Sequence, residues 1–339
     1  MYIIEDYEAK KHNYITYARQ FHSYKWYKPI LTMLMFVVFY IFLSVLLLAA
    51  VFAANFLITG GDWQGFIDRY SNVSYDSLNI RDPLDTVVWL GSLSLMIPAL
   101  WFARGVVRER PFSSYTSSRG GWSVWVFIKC LFIALIVCGL PTIGILYFFH
   151  APIELNNQFA KYGLYLLIVL CPLQCIAEEY IFRGLINQTL GAWFRLPIIA
   201  VVLSSAGFAA LHPYNNIGRA SIFITGLCLG LTSWFGRGIE VSSALHIVNN
   251  MLAFLMDGFG IEEVSSEVDM MSLALSAAIC GMYVLIIFVL SKKTDWFDRA
   301  KFDDAGSHND EIEMKRKKKA ARHAARKAKR KPEQGSSQQ

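Results

Sequence analysis

Hydrophobic and polar positions do not alternate along this chain. The apolar residues gather in long blocks, at roughly 30–57, 86–107, 123–149, 162–182, 197–212, 220–236, 241–257 and 270–290. Apolar runs of about 18 or more residues are long enough to cross a bilayer as helices. The pattern therefore predicts an all-α, polytopic membrane protein with about eight transmembrane helices, the fifth to seventh being short. The first block begins near residue 30 and runs for about 28 residues, longer than the apolar region of a cleavable signal, so it reads as the first true span.

The polar intervals set the orientation. Lys10, Lys11, Arg19, Lys25 and Lys28 precede the first block. Arg104, Arg108, Arg110 and Arg119 follow the second, and Lys292 and Lys293 end the last. The interval 58–85 is poorer in positive charge, and "GIEEVSSEVD" is acidic. Positive charge collects on the cytoplasmic side of short loops, so both termini are expected in the cytoplasm, with the plasma membrane of a bacterium as the expected setting. This divides the chain into a polar, aromatic-rich lead-in (1–28), a transmembrane domain (29–291) and a basic tail (292–339) expected to be disordered.

Composition agrees with the block pattern. Hydrophobic residues make up 55% of the chain and charged ones 17%, below the roughly 25% usual for soluble domains. The formal charge of +6 comes from the tail, where residues 315–331 hold 11 Lys or Arg in 17 positions. The run from Lys315 to Lys331 suits a solvated topology anchor or contact with anionic lipid headgroups; no nucleic-acid partner is expected. All six cysteines fall in apolar blocks and read as packing residues, not as a disulfide or zinc framework.

Ionisable side chains inside spans are costly and are candidate functional groups by default. Here they are few: Glu178, Glu179 and Arg183 in the fourth block, His212 at the end of the fifth, and His246 with Asn249 and Asn250 in the seventh. A hairpin turning near "GAWFRLP" (191–197) puts Glu178 roughly 18 Å and His212 roughly 22 Å from the turn, at 1.5 Å per residue. His246 then lies roughly 12 Å into its own helix. These depths bring the three groups near one level, opening towards the cytoplasmic side. Residues four apart share a helix face. That applies to Phe208 with His212, His246 with Asn250, and Glu179 with Arg183, the last in the order that favours an internal ion pair. Glu178, about 100° round the helix, is left to face another partner.

Such a set can do hydrolytic chemistry. A carboxylate and an imidazole can hold and deprotonate a water, and a second imidazole with an amide can donate to a developing oxyanion. Glu and His also suit a divalent metal such as zinc, with Glu178, His212 and His246 as the ligands on offer. Neither a GxSxG nor an HExxH motif occurs.

"EEYIFR" (178–183), "FAALH" (208–212) and "HIVNN" (246–250) resemble, in order and spacing, the EExxxR, FxxxH and HxxxN motifs of the CPBP family of intramembrane proteases. That family includes the CAAX prenyl protease 2 enzymes and bacteriocin-related bacterial proteins. The resemblance covers about 162–257. It implies an eight-span helical fold and a membrane peptide or protein, lipidated or not, as substrate. It implies that Glu178 and His212 bind the catalytic water, His246 and Asn250 stabilise the oxyanion, and Glu179, Arg183 and Phe208 support the site. Two rivals remain: a non-proteolytic scaffold or bacteriocin-immunity-type protein on the same fold, and a transporter using Glu and His as a proton relay. The absence of an internal repeat counts against the transporter.

Overall fold

The computed structural model describes residues 13–71, 79–149, 155–263, 265–298 and 304–329. Lys10, Lys11, Arg330 and Lys331 lie outside the described residues. Within them the chain is helical and contains no strand. Seven helices are long and apolar enough to span a bilayer: α1 (Lys28–Thr59), α3 (Pro83–Val107), α4 (Val124–Phe149), α5 (Gly163–Phe194), α7 (Asn216–Phe235), α8 (Ile239–Gly258) and α9 (Met270–Lys293). The remaining apolar block is the shorter helix α6 (Pro197–Ala210), about 21 Å long. The protein is thus all-α and polytopic, with seven full-length candidate spans and one short one.

Local chemistry sets several boundaries. Pro29 opens α1 and Gly60, at φ 70°, closes it. α6 starts at Pro197 and stops just before His212-Pro213, because the residue ahead of a proline is pushed out of the helical region. That leaves His212 on a turn and not within a span.

α8 is the most buried span and packs against α4, α5 and α7, whereas α1 is the most exposed and rests mainly on α3. The start of α8 is held by Arg119, which bridges Glu240 at 2.8 Å and donates to the Gly236 carbonyl. Arg110 is equally buried. It donates to Gln188 and to the Gly184 carbonyl, and stacks over Tyr115 at 3.9 Å. Two arginines that read as loop charges are therefore internal ties. The long interval after α1 also carries structure. In α2 (Trp63–Ser71), Arg69 bridges Asp85 at 2.8 Å and Asp82 at 3.1 Å. Arg81 then grips Asp257 at the end of α8 through two bonds of 3.1 and 2.9 Å.

Both terminal segments carry structure. In the described part of the lead-in, a 3₁₀ helix (Tyr14–Gln20) buries Tyr14, Ile15, Tyr17 and Ala18. Tyr14 donates to the Tyr115 carbonyl at 2.5 Å, and Arg19 to the Ala192 carbonyl at 2.9 Å. Gly191 permits this contact, since a Cβ there would strike the Ile15 carbonyl. The tail, expected to be disordered, forms helix α10 (Asp304–Lys329). Its alanines favour a helix, and Glu311–Lys315 (2.5 Å) and Glu313–Lys317 (3.5 Å) are stabilising i,i+4 pairs.

The first turns of α10 dock on the lead-in. Asn309 donates to the Gln20 carbonyl at 2.9 Å and accepts from the His22 amide at 2.7 Å. Ser23 Oγ and His308 Nε2 stand 2.9 Å apart. Burial holds the His308 imidazole below the ordinary histidine pKa; Glu311 opposes this, and Arg104, Lys315 and Lys28 reinforce it. Protonation therefore disfavours the docked state. Docking should be strongest above the ordinary value of about 6.5 and weaken as pH falls through it. Hydrogen exchange of the amides in 305–312, corrected for intrinsic rate, should speed up on acidification. Slower exchange at low pH would contradict the assignment.

Candidate active site

The fourth span brings its two carboxylates to the centre of the bundle and then changes winding. α5 is α-helical to Glu179 and π-wound over Tyr180–Asn187. Single π turns occur often at functional sites and free carbonyls from the regular ladder. Here the carbonyls find side chains: Ser204 Oγ donates to Phe182 O at 2.9 Å, Arg110 to Gly184 O at 3.2 Å, and Thr189 Oγ1 to Leu185 O at 2.6 Å. Gly184 lets this segment approach the Tyr115 backbone, whose carbonyl a Cβ would meet at 2.7 Å.

Glu179 is fully buried. Its Oε1 accepts from Arg183 Nη1 at 3.0 Å and from His246 Nδ1, also at 3.0 Å. Arg183 is fixed further by the Gly226 carbonyl at 3.2 Å and lies over the Phe208 ring at 4.6 Å. With Nδ1–H given to Glu179, His246 turns Nε2 towards Glu178, whose Oε2 lies 3.5 Å away. That separation exceeds a direct hydrogen bond, and Glu178 Oε2 is buried without a hydrogen-bond partner. The order Arg183–Glu179–His246–Glu178 is thus a line of charge-bearing groups ending at an unpaired carboxylate oxygen.

His212 is half-buried on its turn, with Nδ1 2.7 Å from the Phe208 carbonyl. A donating Nδ1–H leaves the lone pair on Nε2. Phe208 stands between the two imidazoles, with ring centroids 4.5 Å from His212 and 6.1 Å from His246. Asn250 Oδ1 accepts from Asn249 Nδ2 at 3.2 Å, which reserves the Asn250 amide protons for another acceptor.

Glu178, His212, His246, Asn249 and Asn250 all line one cavity of about 770 Å³. Its other walls are mostly apolar and include Met33, Phe36 and Tyr40 of α1. The depth agreement holds in that the three groups reach the same space. His212 lies past the end of α6 away from Arg195, and the lining runs from Met33, Leu185 and Ile186 on the Arg195 side to Tyr214, Gly218 and Val268 on the other. The cause is again the Pro213 break, which places His212 beyond its helix.

Asn249, which stands off the face shared by His246 and Asn250, also lines the cavity and holds Asn250. Gln174 was missed altogether; it is buried in the lining, one helical step before Glu178, and that i,i+4 spacing was the available signal. As for a metal, among the described residues no three His, Cys, Asp or Glu side chains group closely enough to hold one. Nδ1 of His246 is held by Glu179, so its Nε2, 3.5 Å from Glu178 Oε2, is the ring nitrogen left to join Glu178 and His212 around an ion.

The fold and cavity define a polytopic membrane protein with a buried glutamate–histidine centre. Residues 160–252, under a third of the chain, match the family model described as type II CAAX prenyl endopeptidase Rce1-like, in agreement with the resemblance carried by the three motifs. The chain is also 28% identical over 194 residues to the uncharacterized protein YyaK of Bacillus subtilis (strain 168). That match covers 53% of this chain and 64% of YyaK, just under two thirds of the relative's length. No solved structure matches.

Proposed function

We propose that this protein is an intramembrane endopeptidase that hydrolyses a peptide bond of a membrane-associated or lipidated substrate. The observation that carries the reading is the unpaired Glu178 oxygen, 3.5 Å from a histidine held by the Glu179–Arg183 pair, at the wall of an apolar cavity. A cavity of about 770 Å³ falls in the range of small-molecule and peptide side-chain sites, and its walls suit an apolar chain.

In this reading a water is shared by Glu178 and the Nε2 lone pair of His212. Glu178 takes one of its protons as the oxygen attacks the peptide carbonyl. His246, as an imidazolium with Nδ1–H on Glu179, donates its Nε2–H, and Asn250 its amide, to the oxyanion that forms. Collapse breaks the C–N bond, and Glu178 returns the proton to the leaving amine. Glu179, which orients His246, is fully buried behind it and does not touch substrate, while Asn249 orients Asn250 from the cavity wall. No step is routed through a metal.

The bilayer is proposed to be a bacterial plasma membrane, with the basic helix ends inward. In support, Lys28, Arg104, Arg108, Arg195, Arg237, Lys292 and Lys293 all fall at one end of the alternating helices, and Glu262, Glu263 and Glu267 at the other.

The test is cleavage of a fluorogenic peptide library by the detergent-solubilised protein, run as wild type, Glu178→Ala, and wild type with a chelator. Loss in Glu178→Ala and persistence in chelator are expected. Activity lost to the chelator and restored by zinc would replace this water-only scheme with a metal bound by Glu178, His212 and His246. Cleavage that survives Glu178→Ala would sink the mechanism.

A further inference from the structure

The proteolytic reading leaves α10 unused, and the inference drawn from it is independent of that reading. α10 changes character along its length. Its first three turns hold Asp304, Asp310, Glu311 and Glu313, and they meet the protein through Ala305, His308 and Asn309, which pack on or bond to the turn at Tyr17–Ser23. At 100° per residue, Ala305, Asn309 and Ile312 share one face, the face turned towards the bundle. The same face continues through Arg316, Lys319 and His323.

Beyond Ile312 none of the described residues covers that face: Arg316, Lys319 and His323 are exposed. Lys315 to Lys319 are five consecutive cations, and the apolar residues of 320–329 are all alanines, too small to anchor the helix in a bilayer. Its anchor leads straight into α1, next to Trp26, which is 67% exposed and hydrogen-bonded through its carbonyl to Trp193 Nε1 at 2.9 Å. Exposed tryptophans of this kind mark the headgroup level of a membrane.

We propose that the Arg316–Lys319 face of α10 binds the anionic phospholipid headgroups of the membrane that holds the protein, as a peripheral electrostatic contact without insertion. Charge complementarity identifies the ligand class, and the docked first turns keep the helix beside the surface at high local concentration. An RNA partner would need no particular face, since cations surround the helix.

The test uses the full chain in nanodiscs, with a fluorophore on Ala320→Cys and spin-labelled headgroups as quencher; the six native cysteines are buried. Discs of phosphatidylcholine are compared with discs that also contain phosphatidylglycerol. Quenching is expected in the anionic discs alone and should fall with added salt. Arg316→Gln with Lys319→Gln should weaken the contact by about fivefold per charge removed, while Lys317→Gln with Lys318→Gln, equal in charge but on the other side, should weaken it less. Equal quenching in neutral discs would overturn the proposal, as would equal losses in the two double variants. Release of the helix from anionic discs by an oligoribonucleotide, with tighter binding to it than to lipid, would assign the face to nucleic acid instead.

Discussion

Glu178→Gln is expected to lower the rate of peptide cleavage by about 10²–10⁴-fold, the usual contribution of a general base, with the folded protein retained. The substitution keeps the shape of the side chain and removes only its ability to take a proton. Little in the packing opposes it, because the affected Oε2 has no hydrogen-bond partner and the nearby His246 Nε2 is 3.5 Å away. His246 stays oriented by Glu179 at 3.0 Å. The variant should therefore unfold at the same temperature as wild type in the same detergent, and its defect should lie in turnover. Wild-type turnover in Glu178→Gln would move the base to another residue.

Arg183→Met should do the opposite and act on stability first. Arg183 and Glu179 are both buried and 3.0 Å apart, and the same Glu179 oxygen holds His246. Removing the cation strands a carboxylate in the core, a change that typically costs about 3–5 kcal/mol. It also removes the guanidinium from the Phe208 face and from the Gly226 carbonyl. Denaturation in detergent should show a marked loss, and the Glu179→Gln/Arg183→Met double variant should recover part of it, since no buried charge is then unpaired. The double variant should nonetheless cleave poorly, because a neutral amide is a weaker anchor for His246 than a carboxylate. A destabilisation within about 1 kcal/mol for Arg183→Met, the range of exposed pairs, would show that the pair is not buried in the working protein.

These two expectations separate what kinds of information the chain carries. Glu179 with Arg183, and Phe208 with His212, were legible because helix geometry turns a spacing of four into adjacency. The third pair, His246 with Asn250, shares a face by the same rule, and both residues line the cavity, but the bond that orients Asn250 comes from its sequence neighbour Asn249. Sequence spacing could say that these residues share a face; it could not say which proton each donates. Likewise Arg110 and Arg119 satisfied the rule for loop charges, and only their contacts with Gln188, Gly184 and Glu240 reveal them as internal ties.

By itself the sequence determined the helical membrane class, the approximate spans and the small group of polar residues that apolar surroundings make conspicuous. Those properties follow from local rules: bilayer thickness sets run length, and helix pitch sets which residues face together. The tertiary structure decided the rest. It decided that α5 winds as a π-helix beyond Glu179 and that His246 bridges towards two carboxylates. It also decided that the lead-in and the basic helix dock on each other. Each of these depends on contacts between residues far apart in the chain, and no window of sequence contains both partners.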